Sequence, residues 1–141
     1  MKSKILLRIA SVVMFLHMFG HTFGHLNWNK SVDPARQEVI RQMTVNKFPF
    51  MGMMRSMSEY YEGFSLLASL ALFLIAATLW VVSGFTVQST FMVKRILVIV
   101  SLTLLAWGID ELVYFFPFAA AFSIIASALT AIAVFKLKKT E

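Results

Sequence analysis

Long apolar runs separated by short polar segments set the pattern of this chain. A helix that crosses a membrane needs ~20 mostly apolar residues, and the sequence contains four such stretches. The predicted membrane spans are residues 7–28, 60–82, 93–115 and 117–136. Pro117 separates the last two spans, because proline suits the first turn of a helix but interrupts its interior. The pattern therefore predicts an all-α fold, a four-helix transmembrane bundle that forms a single domain over residues 1–141.

The connections between the first three spans differ in length and character. Residues 29–58 form an outer loop that is predicted to be partly helical, because Asp33 before Pro34 is typical of a helix start. The stretch 47–54 is too apolar for a solvated loop, so we expect it to fold back into the headgroup region or over the mouth of the bundle. The second connection is a turn after Val82, made of small, flexible or polar residues: Ser83, Gly84, Thr86, Gln88, Ser89 and Thr90.

Composition excludes several classes of protein. Apolar residues make up 59% of the chain and charged residues 14%, against ~25% charged residues in soluble domains. A soluble fold of this size leaves about a third of its unfolded surface in water, so it cannot bury this many apolar side chains. The same composition excludes an intrinsically disordered chain. Because there is no cysteine, a disulfide framework, a thiolate nucleophile and an iron–sulfur cluster are excluded as well.

The distribution of lysine and arginine predicts the orientation. Eight basic residues fall on the side of the two termini: Lys2, Lys4, Arg8, Lys94, Arg95, Lys136, Lys138 and Lys139. Five lie in the outer loop: Lys30, Arg36, Arg41, Lys47 and Arg55. Cytoplasmic segments carry the excess of basic residues, so both termini are predicted to be cytoplasmic. The net charge of +6 is explained by this topology and by attraction to anionic membrane lipids, and no nucleic-acid partner is predicted.

Three histidines in the first span form a stripe along one helix face. His17, His21 and His25 repeat every four residues, and Gly20 and Gly24 lie beside them. Small residues four apart let a second helix approach closely, so the histidines are expected to face protein. The glycines also predict a possible homo-oligomer or the recruitment of a partner helix.

Further polar groups are expected in the same leaflet. In the third span, Thr103, Trp107, Asp110, Glu111 and Tyr114 share a face, and the second span opens with acidic and aromatic residues: Glu59, Tyr60, Tyr61 and Glu62. The fourth span contributes a small-residue face for tight packing: Ala120, Ser123, Ser127 and Thr130. Ionisable residues within a membrane are expensive and mark functional sites by default. The predicted ligand-binding residues are His17, Glu59, Tyr61, Trp107, Asp110 and Tyr114.

Two kinds of chemistry fit this cluster. A divalent metal such as Zn²⁺ or Fe²⁺ could bind the ligand set His21, His25, Glu62 and Glu111. Alternatively, a chain of histidine and carboxylate groups could relay protons or bind the polar head of a small amphiphile, with the aromatic residues as its apolar cover. Haem is disfavoured, because bis-histidine ligation needs imidazoles facing each other and every histidine lies on one helix.

The leading prediction is an accessory membrane protein that binds a metal ion or small amphiphile near the outer leaflet. An enzyme using histidine and glutamate as acid and base on a lipid-like substrate is one alternative, and a purely structural subunit is another. The acidic pair Asp110 and Glu111 could instead form a clasp with Arg41 or Arg55, and the methionines of the loop are expected to pack rather than to bind copper.

The same residues carry a resemblance. The stretch 16–25, L-H-M-F-G-H-T-F-G-H, followed by 50–56 and 60–64, resembles an uncharacterised family of small four-pass bacterial membrane proteins. The overall plan is also similar to the DoxX-like membrane proteins, in shape only. The first resemblance implies a four-helix membrane bundle in a bacterial inner membrane, and it implies no reaction.

Overall fold

The computed structural model describes residues 2–87 and 90–137, which form five helices and one small hairpin. The elements are α1 (Lys2–Asn27), α2 (Pro34–Val45), β1 (Lys47–Phe50), β2 (Met53–Ser56), α3 (Met57–Ser83), α4 (Thr90–Tyr114) and α5 (Pro117–Lys136). Helices α1, α3, α4 and α5 are long and apolar enough to cross a membrane. The predictions of an all-α membrane fold and of four spans are therefore confirmed. Of the residues used above, Gln88, Ser89, Lys138 and Lys139 lie outside the described ones.

Local hydrogen bonds explain where α2, within the outer loop, and α3, at the end of that loop, begin. Asp33 accepts a hydrogen bond from the backbone nitrogen of Ala35 at 3.0 Å, which confirms the predicted start of α2. At the start of α3, Glu59 Oε2 accepts from the backbone nitrogen of Ser56 at 2.7 Å, and Ser56 Oγ accepts from that of Glu59 at 3.3 Å. This reciprocal arrangement is a capping box, which satisfies two backbone donors at once. It starts α3 at Met57, ahead of the predicted span.

The apolar stretch of the outer loop forms a β-hairpin. Strands β1 and β2 pair antiparallel, with Lys47 opposite Ser56 and Phe50 opposite Met53. The two turn residues, Met51 and Gly52, have φ values of 45° and 84°. Two positive values in succession give a type I′ turn, whose twist matches that of the flanking strands. The sequence lacks the Asn-Gly or Asp-Gly pair that usually signals this turn, so the hairpin itself was not predicted.

The chain divides into two compact units, and α1 and α3 each contribute to both. One unit combines Met1–Met18 with Leu72–Glu141, and the other is Phe19–Ala71. The first, which we call the bundle unit, contains segments of all four long helices. Its core is apolar and includes side chains with no exposed surface: Leu7, Met14, Leu79, Leu97 and Leu104. The second, which we call the loop unit, contains the remainder of α1, then α2, the hairpin and the first half of α3.

Small residues allow α4 and α5 to pack closely within the bundle unit. A Cβ atom added to Gly108 would lie 2.7 Å from Ile124 Cγ1, so any larger residue there would force Ile124 or the helices to shift. Farther along the same pair of helices, Ser127 Oγ donates to the Ser101 carbonyl at 2.8 Å, and Ser101 Oγ donates to the Ser127 carbonyl at 3.1 Å. The predicted small-residue face of α5 is confirmed by the burial of all four of its members: Ala120, Ser123, Ser127 and Thr130.

Large apolar side chains cover much of the outer surface of the long helices. Leu74, Ile99 and Leu102 are examples, and each exposes more than 60% of its surface. A soluble protein rarely leaves so extensive an apolar surface in water. Contact with lipid tails explains it, as expected for membrane-spanning helices.

Candidate functional site

The site in the bundle unit is built on two helices whose buried positions follow a heptad-like spacing. On α1 the buried residues include Ser3, Leu7, Ala10, Met14 and His17. On α4 they are Val93, Leu97, Ser101, Leu104, Gly108 and Glu111. Steps of three and four residues keep a single helix face toward its neighbours. His17 and Glu111 continue these two apolar series, so the local helix geometry directs both ionisable side chains into the core.

His17 and Glu111 are in direct hydrogen-bond contact inside the protein. The distance between His17 Nε2 and Glu111 Oε1 is 3.0 Å, and each residue exposes 5% of its surface. Trp107 Nε1 donates to the same carboxylate oxygen at 3.1 Å, while Ser123 Oγ donates to Oε2 at 2.7 Å. The carboxylate thus has three donors, which is the arrangement that a buried negative charge requires.

Ser123 closes the network from α5. Its Oγ lies 3.4 Å from His17 Nδ1, on the other side of the imidazole from Glu111. The ring of Phe122 stacks on the imidazole with the ring centroids 5.5 Å apart. Helices α1, α4 and α5 therefore all contribute to one closed ring of hydrogen-bonding groups, which we call the His17–Glu111 network: His17, Trp107, Glu111 and Ser123.

Which groups of this network donate hydrogen bonds and which accept them depends on the protons that the imidazole carries. The single proton of Ser123 is directed at Glu111, so its oxygen presents only lone pairs to His17 Nδ1. If the imidazole carries protons on both nitrogens, Nε2 donates to Glu111 and Nδ1 donates to Ser123. If it is neutral with its proton on Nε2, two lone pairs face each other at Nδ1. Two proton arrangements satisfy every member: an imidazolium beside a carboxylate, and an imidazole with its proton on Nδ1 beside a protonated Glu111. They differ only in which side of the contact between His17 Nε2 and Glu111 Oε1 carries the shared proton.

Gly108 is a positioning residue that the sequence analysis missed. It lies on the same face of α4 as Glu111, and an added Cβ would be 3.4 Å from Ser123 Cβ as well as close to Ile124. Its missing side chain allows the close approach by which Ser123 reaches the carboxylate. The sequence feature that indicates this role is the position of Gly108 three residues before Glu111, on the same helix face. For Ser123, the sequence predicts only a role in the close packing of the fourth span.

Three of the predicted site residues meet here, while two of their neighbours on α4 do not. His17, Trp107 and Glu111 are in contact, whereas Asp110 is exposed and Tyr114 exposes 76% of its surface. The expectation that all of these α4 residues share one inward face is wrong. Consecutive helical residues point ~100° apart, so a helix that buries Glu111 turns Asp110 outward.

The other two histidines have different surroundings in the loop unit. His21 Nε2 lies 3.0 Å from the Ser65 carbonyl oxygen and 3.2 Å from Ser65 Oγ. His25 is partly buried, and its Nδ1 has no hydrogen-bond partner among the described residues. A stripe with a four-residue spacing turns by ~40° at each step. That turn is sufficient to give each histidine a different neighbour.

The described residues do not assemble the predicted metal ligands. No group of three or more histidine, cysteine, aspartate or glutamate side chains in ranges 2–87 and 90–137 is arranged to hold a metal ion. The ligand set of His21, His25, Glu62 and Glu111 is therefore without support, because Glu111 is bound by His17 and Ser123 and His21 by Ser65.

The acidic and aromatic residues at the start of α3 have local roles. Glu59 caps the helix and also accepts from Arg55 Nη1 at 3.1 Å, while Glu62 is exposed. The rings of Tyr61 and Trp28 lie 4.8 Å apart between centroids. Arg41 binds Glu38 with two hydrogen bonds of 2.7 Å. Both arginines thus bind glutamates three or four residues away, within the loop unit.

Comparison with known proteins adds no relative. Neither the protein-family models, nor the curated proteins, nor the solved structures give a match to this chain. The fold and the site define a small helical membrane protein with a buried histidine–glutamate pair. The resemblance to a bacterial four-pass family stays a prediction.

Proposed function

We propose that this chain is an accessory, non-enzymatic protein of a bacterial inner membrane, and that its His17–Glu111 network is a proton-binding site. The observation that supports the proposal is the 3.0 Å contact between two ionisable groups that are almost completely buried in membrane-spanning helices. Such groups are costly within a bilayer and commonly belong to proton or ion pathways. A carboxylate with three donors and an imidazole with two neighbours are well placed to hold one exchangeable proton.

The basic residues of the bundle unit support cytoplasmic termini in this proposal. The guanidinium of Arg8 on α1 lies 4.8 Å from the ring centroid of Trp80 near the end of α3, so these two helix ends are adjacent. Lys94 and Arg95 lie at the start of α4, and Lys136 at the end of α5. Antiparallel helices bring these groups to one end of the bundle unit, as the positive-inside rule requires of a cytoplasmic face.

An enzymatic role is less well supported. Ser123, His17 and Glu111 contain the residue types of a hydrolytic triad, but Ser123 has no exposed surface and donates its proton to the glutamate. A nucleophilic serine must instead donate to the imidazole and reach a substrate. The geometry therefore favours holding a proton over attacking a carbonyl.

The proposal can be tested by observing the imidazole protons directly. The protein contains three histidines, so ¹⁵N-histidine labelling in lipid bilayers gives few signals, and His21→Asn and His25→Asn variants assign them. As the pH is varied over the range in which the protein stays folded, we expect the His17 ring to change between two protonated nitrogens and one, because the network is proposed to take up and release a proton. Glu111→Gln should shift this transition, whereas the matched control Asp110→Asn, which changes an exposed neighbour, should not.

Two results would contradict a proton-binding role. A His17 ring with the same protonation throughout this pH range would show a fixed structural ion pair. A transition that Glu111→Gln leaves unchanged would show that the two groups do not share a proton.

Binding of a small amphiphile is a second candidate function, supported by a different observation in the loop unit. Tyr60 lies in an aromatic cluster, with Phe50 at 5.6 Å and Phe64 at 6.4 Å between ring centroids. Its hydroxyl group and His25 Nδ1 are buried atoms without hydrogen-bond partners among the described residues. Buried polar atoms normally have partners, so the polar head of a lipid or quinone that reaches either atom would satisfy it.

Mass spectrometry of the lipids that co-purify with the protein tests this second candidate. We expect one amphiphile to be enriched over the bulk membrane lipids, and the enrichment to fall in Tyr60→Phe. The matched control is Tyr61→Phe, because Tyr61 is the exposed neighbour. Equal lipid content in all three proteins would contradict this candidate.

A further inference from the structure

The β-hairpin of the loop unit leaves a cluster of large apolar side chains uncovered. Phe48, Phe50, Met53 and Met54 each expose slightly more than half of their surface, and Met51 at the tip exposes 89%. A two-stranded hairpin on its own is only marginally stable in water. Contiguous exposed apolar surface marks a contact with another body. Some apolar medium or partner therefore covers this hairpin.

The pairing register shows that the apolar residues lie on both faces. Residues directly opposite one another share a face, so Phe48, Phe50 and Met53 lie on one side, together with Arg55. Pro49 and Met54 lie on the other. A docked protein covers one face of a two-stranded sheet, whereas a fluid medium surrounds both faces and the tip. The distribution favours lipid.

The position of the hairpin in the chain agrees with a lipid environment. Strand β2 ends at Ser56, and α3, which is apolar enough to cross a membrane, begins at the next residue. A strand rises ~3.3 Å per residue, so Gly52 at the tip lies within about 17 Å of Met57, where α3 begins. The hairpin is thus held at the membrane surface by its covalent attachment. Its basic residue Lys47 suits anionic headgroups.

The backbone sets a limit on how deep the hairpin can lie. The outer edges of two paired strands carry N–H and C=O groups that the hydrocarbon interior cannot satisfy. Pro49 removes one such donor, but the remaining groups still need water or headgroups. We propose that the hairpin is an interfacial membrane anchor, with its backbone in the headgroup layer and the side chains of Phe48, Phe50 and Met51 reaching the lipid tails.

Nitroxide labelling tests this proposal, because the protein contains no cysteine. Single variants Met51→Cys, Val39→Cys and Leu102→Cys are labelled in vesicles of phosphatidylethanolamine and phosphatidylglycerol. Val39 is an exposed residue of α2, a helix without buried residues, and Leu102 is an exposed residue of the apolar helix α4. All three side chains are more than half exposed, so the labels should not disturb folding. The collision rates of each nitroxide with oxygen and with a water-soluble nickel complex are then compared.

We expect the ratio of oxygen to nickel collisions at position 51 to be several-fold higher than at position 39 and lower than at position 102. A ratio at position 51 equal to that at position 39 would place the hairpin in water and overturn the proposal. Protection of position 51 from both reagents would also overturn it, since that result indicates cover by protein. None of these outcomes depends on proton binding at His17.

Discussion

The His17–Glu111 pair and the Arg41–Glu38 pair each join a basic and an acidic side chain at similar distances, 3.0 and 2.7 Å, in opposite surroundings. The side chains of the first pair expose 6% and 7% of their surface, and those of the second expose 61% and 50%. An exposed ion pair adds little to folding stability, because water screens the attraction and the side chains lose conformational freedom when they pair. A buried charge cannot be solvated by water, so removing its partner leaves it unsatisfied. Comparable geometry therefore has different consequences in the bundle unit and on α2.

Removal of the buried carboxylate should give the largest effect. Glu111→Ala leaves His17, Trp107 and Ser123 without their common acceptor, and we expect the free energy of unfolding to fall by about 3–5 kcal/mol. Reversible unfolding in mixed detergent micelles measures this change. The matched control is Asp110→Ala, where a small effect is expected because Asp110 is exposed. Equal losses at the two positions would contradict the distinction between buried and exposed charge.

Filling the space at Gly108 should disturb the same network from a distance. Gly108→Leu places atoms where Ile124 and Ser123 already lie, and overpacking of this kind costs about 1–3 kcal/mol. Separation of α4 from α5 should also weaken the contact between Ser123 and Glu111. Thermal unfolding measures the loss of stability, and the His17 ¹⁵N signals report the change in the network. Gly63→Leu is the control, because an added Cβ there meets no described atom within 4 Å. Tolerance of leucine at position 108 would show that the two helices do not approach closely.

A loss of similar size is expected when only the hydroxyl group of the network is removed. Ser123→Ala deprives Glu111 of one donor and His17 of one neighbour, while it keeps the small side chain that α5 requires. We expect the free energy of unfolding to fall by about 1–3 kcal/mol, as for a buried group left unpaired. In a double-mutant cycle with Glu111→Ala, the two losses should be strongly non-additive. Simple additivity would indicate that the serine and the glutamate act independently.

The smallest effect concerns the exposed pair on α2. Hydrogen bonds from Arg41, and then from Gln42, lower the pKa of Glu38 from 4.5 to about 2. A carboxylate with a lowered folded-state pKa contributes stability above its unfolded pKa, and this contribution is lost as the pH falls through the folded value. The helicity of α2 should thus decline slightly between about pH 4.5 and pH 2. Carbon NMR of the Glu38 carboxyl group measures the pKa, and Arg41→Gln should raise it. A pKa near 4.5 in the unaltered protein would show that the pair does not form in solution.

Much of the fold could be predicted because apolar runs and helix-breaking residues are local signals. Asp33-Pro34 and Pro117 start helices where expected. The hairpin could not be predicted in the same way, because its turn uses Met51-Gly52 instead of a recognised pair. The capping box at Ser56 and Glu59 is a recognisable pattern, but the acidic residue was assigned to the site instead.

The site was predicted only in part, because helical spacing tells which residues share a face but not which neighbour that face meets. The sequence predicts His17, Trp107 and Glu111 as site residues, but it pairs the Glu111 carboxylate with His21 and His25. The register between α1, α4 and α5 decides the actual partner, and close packing at Gly108 contributes to it between α4 and α5. That information is non-local and cannot be read from one helix at a time.

The most direct test of this account is a solid-state NMR distance measurement between the two groups of the buried pair. Protein with ¹⁵N-histidine and with ¹³C at the glutamate side-chain carboxyl is reconstituted in lipid bilayers, and dipolar dephasing of the His17 Nε2 signal is recorded. The 3.0 Å contact with Glu111 Oε1 predicts strong dephasing that disappears in Glu111→Gln prepared without the amide label. A His17 signal that the carboxyl carbon does not dephase would contradict the buried ion pair.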